Sequence, residues 1–186
     1  GSRYDAHCND EWVINLRKLI RSIYDYKLKK IKMVGICFGH QVIAHALNGG
    51  LSARNDKTIW EIGVKTMKLT NSFFQLFGSD NPKIKDLKSI NILQTHRDAV
   101  LSLPNDAKLL AYSEFTDIEM YSVGNQIFSM QGHPEFDKDY VNTIISVKKD
   151  QPSVPKSEIK YALKSLKDSN PDNDLLKLLI LEFLKL

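Results

Sequence analysis

Cys37 stands between two glycines in the run Gly35-Ile36-Cys37-Phe38-Gly39-His40-Gln41, directly after an apolar, strand-like segment at residues 31–36. A sulfur at the tip of a tight strand-to-helix turn needs unusual backbone dihedrals at its own position and little bulk two residues to either side. Gly35 and Gly39 meet that need, so the run predicts a nucleophile elbow. A helix starting just after Cys37 would aim free N–H groups and the positive end of its dipole at the sulfur, favouring thiolate over thiol. A second constellation, Gln131-Gly132-His133-Pro134-Glu135, follows another strand-like run at residues 126–130. Cysteine, histidine and carboxylate in that order suggest a triad: Cys37 as nucleophile, His133 to take and return its proton, and Glu135 to fix the imidazole tautomer. Each has a plainer reading beside it. Cys37 can be an inert core thiol, His133 a satisfied loop histidine, and Glu135 a carboxylate facing the dipole of a helix that starts at Asp137.

The remaining reactive residue types carry less. His40 and His45 lack an H-E-x-x-H frame or a third ligand at sensible spacing, so no metal site is expected. His96, in Thr95-His96-Arg97-Asp98, either lines a pocket or serves its loop. Gln41, by pattern alone, is an exposed helix position. Cys8 is incidental, and with no secretory signal before it a disulfide to Cys37 is not expected; a reducing, cytoplasmic location fits better. The chain has no G-x-x-x-x-G-K-[ST] run, which excludes self-contained ATP-driven synthesis.

These residues need a scaffold. With 186 residues, 42% of them hydrophobic, the chain suits one core rather than two. The net charge of +4 is mild, and lysines such as those in 27–32 and 83–88 read as solvated, leaving no nucleic-acid footprint. The apolar tail at 175–186 is broken by Lys177, Glu182 and Lys185 and is short of the roughly 20 residues a membrane helix needs. Trp12, Val13, Leu16, Leu19, Ile20 and Ile23 recur at helical steps. Strand 31–36, the elbow, and a helix through Val42, Ile43, Ala46 and Leu47 ending at Gly49-Gly50 make an α/β crossover unit. Residues 62–69 and 90–94 read as strands, and 80–88 as a surface linker. Segments 109–113, 118–123 and 126–130 predict a small antiparallel meander turning at Gly124-Asn125, set beside a mainly parallel sheet. A helix from Asp137 runs through Tyr140, Val141, Ile144 and Ile145; Pro152 and Pro155 separate it from two terminal helices, 157–166 and 172–186.

The motifs resemble those of the class I glutamine amidotransferases. That family's G-x-C-x-G-x-Q elbow is matched at Gly35, Cys37, Gly39 and Gln41, and its H-P-E at His133, Pro134 and Glu135. Gly49-Gly50, Trp60-Glu61-Ile62-Gly63 and Thr95-His96-Arg97-Asp98 are supporting matches. The chain is most similar to the standalone branch that includes γ-glutamyl peptidases. The resemblance implies a flavodoxin-like α/β fold, with residues 1–150 as the amidotransferase-like domain and 151–186 as a helical extension packed on it. It implies a Cys-His-Glu hydrolase acting on glutamine or a γ-glutamyl peptide through a thioester, needing no cofactor. Phe38 and Gly1 are implied as oxyanion donors and Gln41 as part of the glutamyl-binding wall, with an ammonia-accepting synthase as a possible partner. In the family, strands precede the loop that Gly1-Ser2-Arg3-Tyr4-Asp5 resembles, so the resemblance also implies a shortened chain with an open sheet edge. The alternative is a weak or inactive amidotransferase-like binding subunit. Related intracellular peptidases and chaperones place histidine immediately after the cysteine, where this chain has Phe38.

Overall fold

A computed structural model describes residues 2, 4–25, 28, 30–48, 51–52, 60–78 and 81–185. In chain order the elements are α1 (Glu11–Asp25), β1 (Met33–Ile36), α2 (Phe38–Ala46), β2 (Leu51–Ser52), β3 (Glu61–Leu69), α3 (Asn71–Phe77), β4 (Ser89–His96), β5 (Ala99–Val100), β6 (Ala107–Tyr112), β7 (Met120–Val123), β8 (Ile127–Met130), α4 (Lys138–Lys148), α5 (Lys156–Asp168) and α6 (Asn173–Lys185). Six strands form one curled sheet in the order β1-β8-β7-β6-β3-β4, and β2 pairs with β5 in a separate two-stranded ladder.

The α/β class stands, but the sense of the sheet needs correcting. Among the described residues only β1 and β8 run parallel; β7–β8, β6–β7, β3–β6 and β3–β4 are antiparallel. The three-stranded meander is therefore the middle of the sheet and not an appendage. A link as short as residues 124–126 can only reverse the chain, whereas a parallel pair needs a long crossover.

Alternation along the strands feeds two helical layers. Tyr121, Val123 and Ile127 join Val13, Ile20, Val42 and Ile43 in a core between the sheet and α1–α2. Met120, Phe128 and Met130 point the other way, onto Phe73, Phe77, Leu176, Leu179 and Phe183 of α3 and α6. A third seam joins Val64 and Leu93 to Val141, Ile145, Ala162 and Leu166 of α4 and α5. The two terminal helices, α5 and α6, pack on the sheet. At Gly63 (φ 96°) an added Cβ would sit 2.4 Å from Ser165 Oγ and 2.9 Å from Ala162 Cα, so the bare backbone is what lets α5 lie directly on β3.

Three local expectations change. Residues 71–77 form a helix, driven by burial of Phe73 and Phe77, that no sequence period announced. The supposed surface linker 80–88 tucks Ile84 fully into the core. Trp12 and Leu19 flank the apolar stripe of α1 and stay exposed, leaving Val13 and Ile20 as the buried pair.

Candidate active site

The two motifs meet because β1 and β8 are parallel neighbours in register, with Ile36 opposite Met130. Parallel strands release their chains at the same end, so the elbow at 37 and the run at 131–135 emerge side by side. Cys37 N–H donates to Met130 O at 3.0 Å, which ties the two exits together. Cys37 itself has φ 52° and ψ −105°, an unusual backbone for a non-glycine residue, and caps the N-terminus of α2. A Cβ on Gly35 would lie 2.8 Å from the Gly39 carbonyl carbon, so the turn needs glycine there; a Cβ on Gly39 would enter open space. The expectation that both glycines relieve crowding thus holds for Gly35 alone. Gly39 matters because its backbone is the crowding partner.

His133 is 1% exposed. Its backbone N–H donates to Leu93 O at 2.8 Å, and its ring stacks flat on Phe136 with centroids 4.0 Å apart. Nδ1 donates to Glu135 Oε1 at 2.6 Å. That bond occupies Nδ1 and leaves the buried Nε2 as the nitrogen available to Cys37. Burial pulls the His133 pKa down, but hydrogen bonding and charge from Cys37 and Glu135 outweigh it and hold it above the ordinary histidine value. Burial pushes Glu135 up, and His133 more than reverses this, leaving its carboxyl below the ordinary range. Capping of α4 falls to Asp137, whose carboxylate accepts from Tyr140 N–H at 2.7 Å, so Glu135 is free to serve the imidazole.

Cys37, Phe38, Gln41 and His133 line one cleft of about 490 Å³. Phe38 is the first residue of α2, and its N–H has no acceptor within that helix. Gln41 is buried, not exposed: its side-chain amide donates to Asp98 O at 2.7 Å and to Gln131 Oε1 at 3.1 Å. It braces the loop after β4 against the Q-G-H-P-E run. His96 lines the same cleft, and its Nδ1 donates to that same Asp98 carbonyl at 3.0 Å. The pocket and loop readings of His96 are both satisfied. Gly1 and the Gly49-Gly50 pair lie outside the described residues.

His40 points away from the cleft. Its Nε2 contacts Ile118 O at 3.1 Å, which can only accept, so Nδ1 accepts from Ser129 Oγ at 2.6 Å. Full burial holds this ring neutral, with a pKa of about 3. Tyr121 Oη adds a bond to the His40 carbonyl at 2.8 Å, so α2 is fastened to the sheet directly beneath the elbow. Cys8 is free and lies outside the cleft.

Phe136, Tyr140, Ile144 and Lys148, which gave no functional signal in sequence, line the cleft together with Trp60 and Asp98 of the supporting matches and Asp5 of the first loop. Burial and a hydrogen bond to Asp5 raise the Asp98 carboxyl. Behind the cleft, Glu119 is wholly buried with its pKa pushed up to about 8 by desolvation and the neighbouring Glu61, and it accepts from Gln94 Nε2 at 2.7 Å.

A family model described as glutamine amidotransferase class-I matches residues 8–143. The chain is 32% identical over 188 residues to γ-glutamyl peptidase 5 of Arabidopsis thaliana, covering 100% of this chain and 71% of that one. It is 36% identical over 146 residues to γ-glutamyl peptidase 4 of the same plant, covering 78% of this chain and 55% of that one. A crystal structure of a glutamine amidotransferase from Thermotoga maritima superposes with a TM-score of 0.67 at 22% identity, covering 100% of this chain and 74% of the other.

Proposed function

The chain belongs to the class-I glutamine amidotransferase family, and on that premise we propose that it hydrolyses γ-glutamyl amides by covalent catalysis at Cys37. The observation that carries this reading is a strained cysteine at a helix start facing the same cleft as a buried histidine whose second nitrogen is held by a carboxylate.

His133 Nε2 takes the thiol proton as Cys37 Sγ bonds to the γ-carbonyl carbon. The oxyanion that forms is met by the Phe38 N–H. Collapse breaks the C–N bond, and His133 returns the proton to the departing amine, leaving a γ-glutamyl thioester. Water, deprotonated by His133, then cleaves the thioester, releasing glutamate and restoring the thiol. Glu135 holds the ring in the tautomer with its proton on Nδ1 and stabilises the imidazolium. Gln41 keeps the Asp98 loop in place as part of the glutamyl-binding wall. No step needs a metal or an organic cofactor. Among the described residues no helix is long and apolar enough to cross a membrane. A nucleophilic thiol of this kind works in a reducing compartment, and the cytoplasm is the proposed one.

The test is glutamate release from γ-glutamyl dipeptides and from glutamine by the purified chain. Cys37→Ala and His133→Ala should each abolish it, while Cys8→Ser should leave it within twofold. Turnover that survives Cys37→Ala would end the proposal.

A further inference from the structure

The cleft contains two cations that the proposed hydrolysis leaves unused. Arg97, after β4, and Lys148, in the last turn of α4, both line it. Arg97 Nε reaches Asp98 Oδ1 at 3.3 Å. Lys148 Nζ sits 3.4 Å from the centre of the Trp60 ring, in a cation–π contact, with no carboxylate against it among the described residues. Burial and the Arg97 charge hold its pKa below the ordinary lysine range, as a cation lacking an anion would be.

Their position follows from the leaving group. The departing amine takes its proton from His133, so it must lie on the His133 side of the scissile carbon. On that side Phe136 stacks on His133, Tyr140 lies 4.4 Å from Phe136, and Ile144 and Lys148 follow at four-residue steps along one face of α4. From Tyr140 to Lys148 the helix rises roughly 12 Å at about 1.5 Å per residue. The lysine side chain leans back toward the helix N-terminus and shortens that reach. A leaving group of one or two amino acids would run over this aromatic and aliphatic row and bring a terminal carboxylate to the cations. The ammonia of glutamine would touch none of it.

Resting on the γ-glutamyl hydrolase reading above, we propose that Lys148 and Arg97 form a carboxylate subsite for the amine product, which selects γ-glutamyl peptides with a free C-terminus over glutamine and over capped peptides. The residues act on specificity and not on the chemical step.

The experiment compares kcat/KM for γ-glutamyl-alanyl-glycine, its C-terminal amide and glutamine. A second measurement uses Cys37→Ala protein and calorimetry with alanyl-glycine and its amide, so that binding is read without turnover. Wild type should favour the free acid over the amide by about tenfold or more, the size of one charge-assisted contact. Lys148→Met should collapse that ratio toward one, and Lys148→Arg should restore most of it. Equal rates for acid and amide in the wild type would overturn the subsite while leaving the hydrolase reading intact. So would a Lys148→Met loss shared equally with glutamine, since the cation would then hold the α-carboxylate of the glutamyl group. Failure to turn over any of the three substrates would sink the hydrolase reading itself, and the subsite with it.

Discussion

Replacing Glu119 by glutamine should remove most of the protein's loss of stability between pH 5 and pH 8. The buried carboxyl has a pKa of about 8 in the fold against an ordinary 4.5, set by desolvation and by Glu61. Between those two values the unfolded chain has released its proton and the folded chain still holds it, so the folded state binds more protons and stability falls as pH rises. At about 1.4 kcal/mol per pH unit the loss totals about 5 kcal/mol by pH 8, of which about 3 kcal/mol has gone by pH 7. For a domain of this size that corresponds to roughly 6–12 °C in melting temperature at neutral pH. Glutamine is uncharged at every pH, and its side-chain oxygen can still accept from Gln94 Nε2, which reaches Glu119 Oε2 at 2.7 Å. His40 acts at the other end of the scale: with a folded pKa of about 3 it stays neutral while an unfolded histidine charges, so stability also falls as pH drops below about 6.5. Between pH 4.5 and 6.5 the two slopes cancel, so the wild type should be most stable on a plateau there, whereas Glu119→Gln, left with the His40 limb alone, should gain stability up to about pH 6.5 and stay level above it. Urea unfolding at half-unit steps from pH 4 to pH 8 measures both limbs. If the two proteins give parallel curves from pH 5 to pH 8, Glu119 is ionised in the fold, and the reasoning from burial is wrong.

Gly35→Ala should displace the elbow, because its Cβ would stand 2.8 Å from the Gly39 carbonyl carbon and backbone cannot rotate away; a loss of about 1–3 kcal/mol in stability and at least tenfold in kcat is expected from overpacking, read by denaturation and glutamate release. Glu135→Gln should lower kcat and also move the acid limb of kcat/KM to lower pH, since the carboxylate is one of the groups holding the His133 pKa above its ordinary value. A limb that stays where it was would separate Glu135 from the titration of His133.

The sequence by itself singled out the candidate residues and their local neighbourhood. The elbow and the H-P-E run are local: a glycine before a strained cysteine, and a carboxylate two residues after a histidine, state their chemistry within a few positions. Most helices and strands were equally legible, because burial of one face imposes a period of 2 or 3.6 on any segment that forms it. What the sequence did not carry was pairing. The period along a strand is the same whether its neighbour runs parallel or antiparallel, so the sense of the sheet and the parallel β1–β8 pair that brings Cys37 near His133 came only from the fold. Residue roles set by neighbours distant in sequence were hidden for the same reason. Gln41 looked solvent-facing until Asp98 and Gln131 closed over it, and the anchoring of His40 between Ser129 and Ile118 had no local sign. Lys148 read as one more surface lysine in a lysine-rich chain. Its charge acquires meaning only where α4 sets it beside Arg97 and over Trp60, since an electrostatic field depends on distances through space and not along the chain.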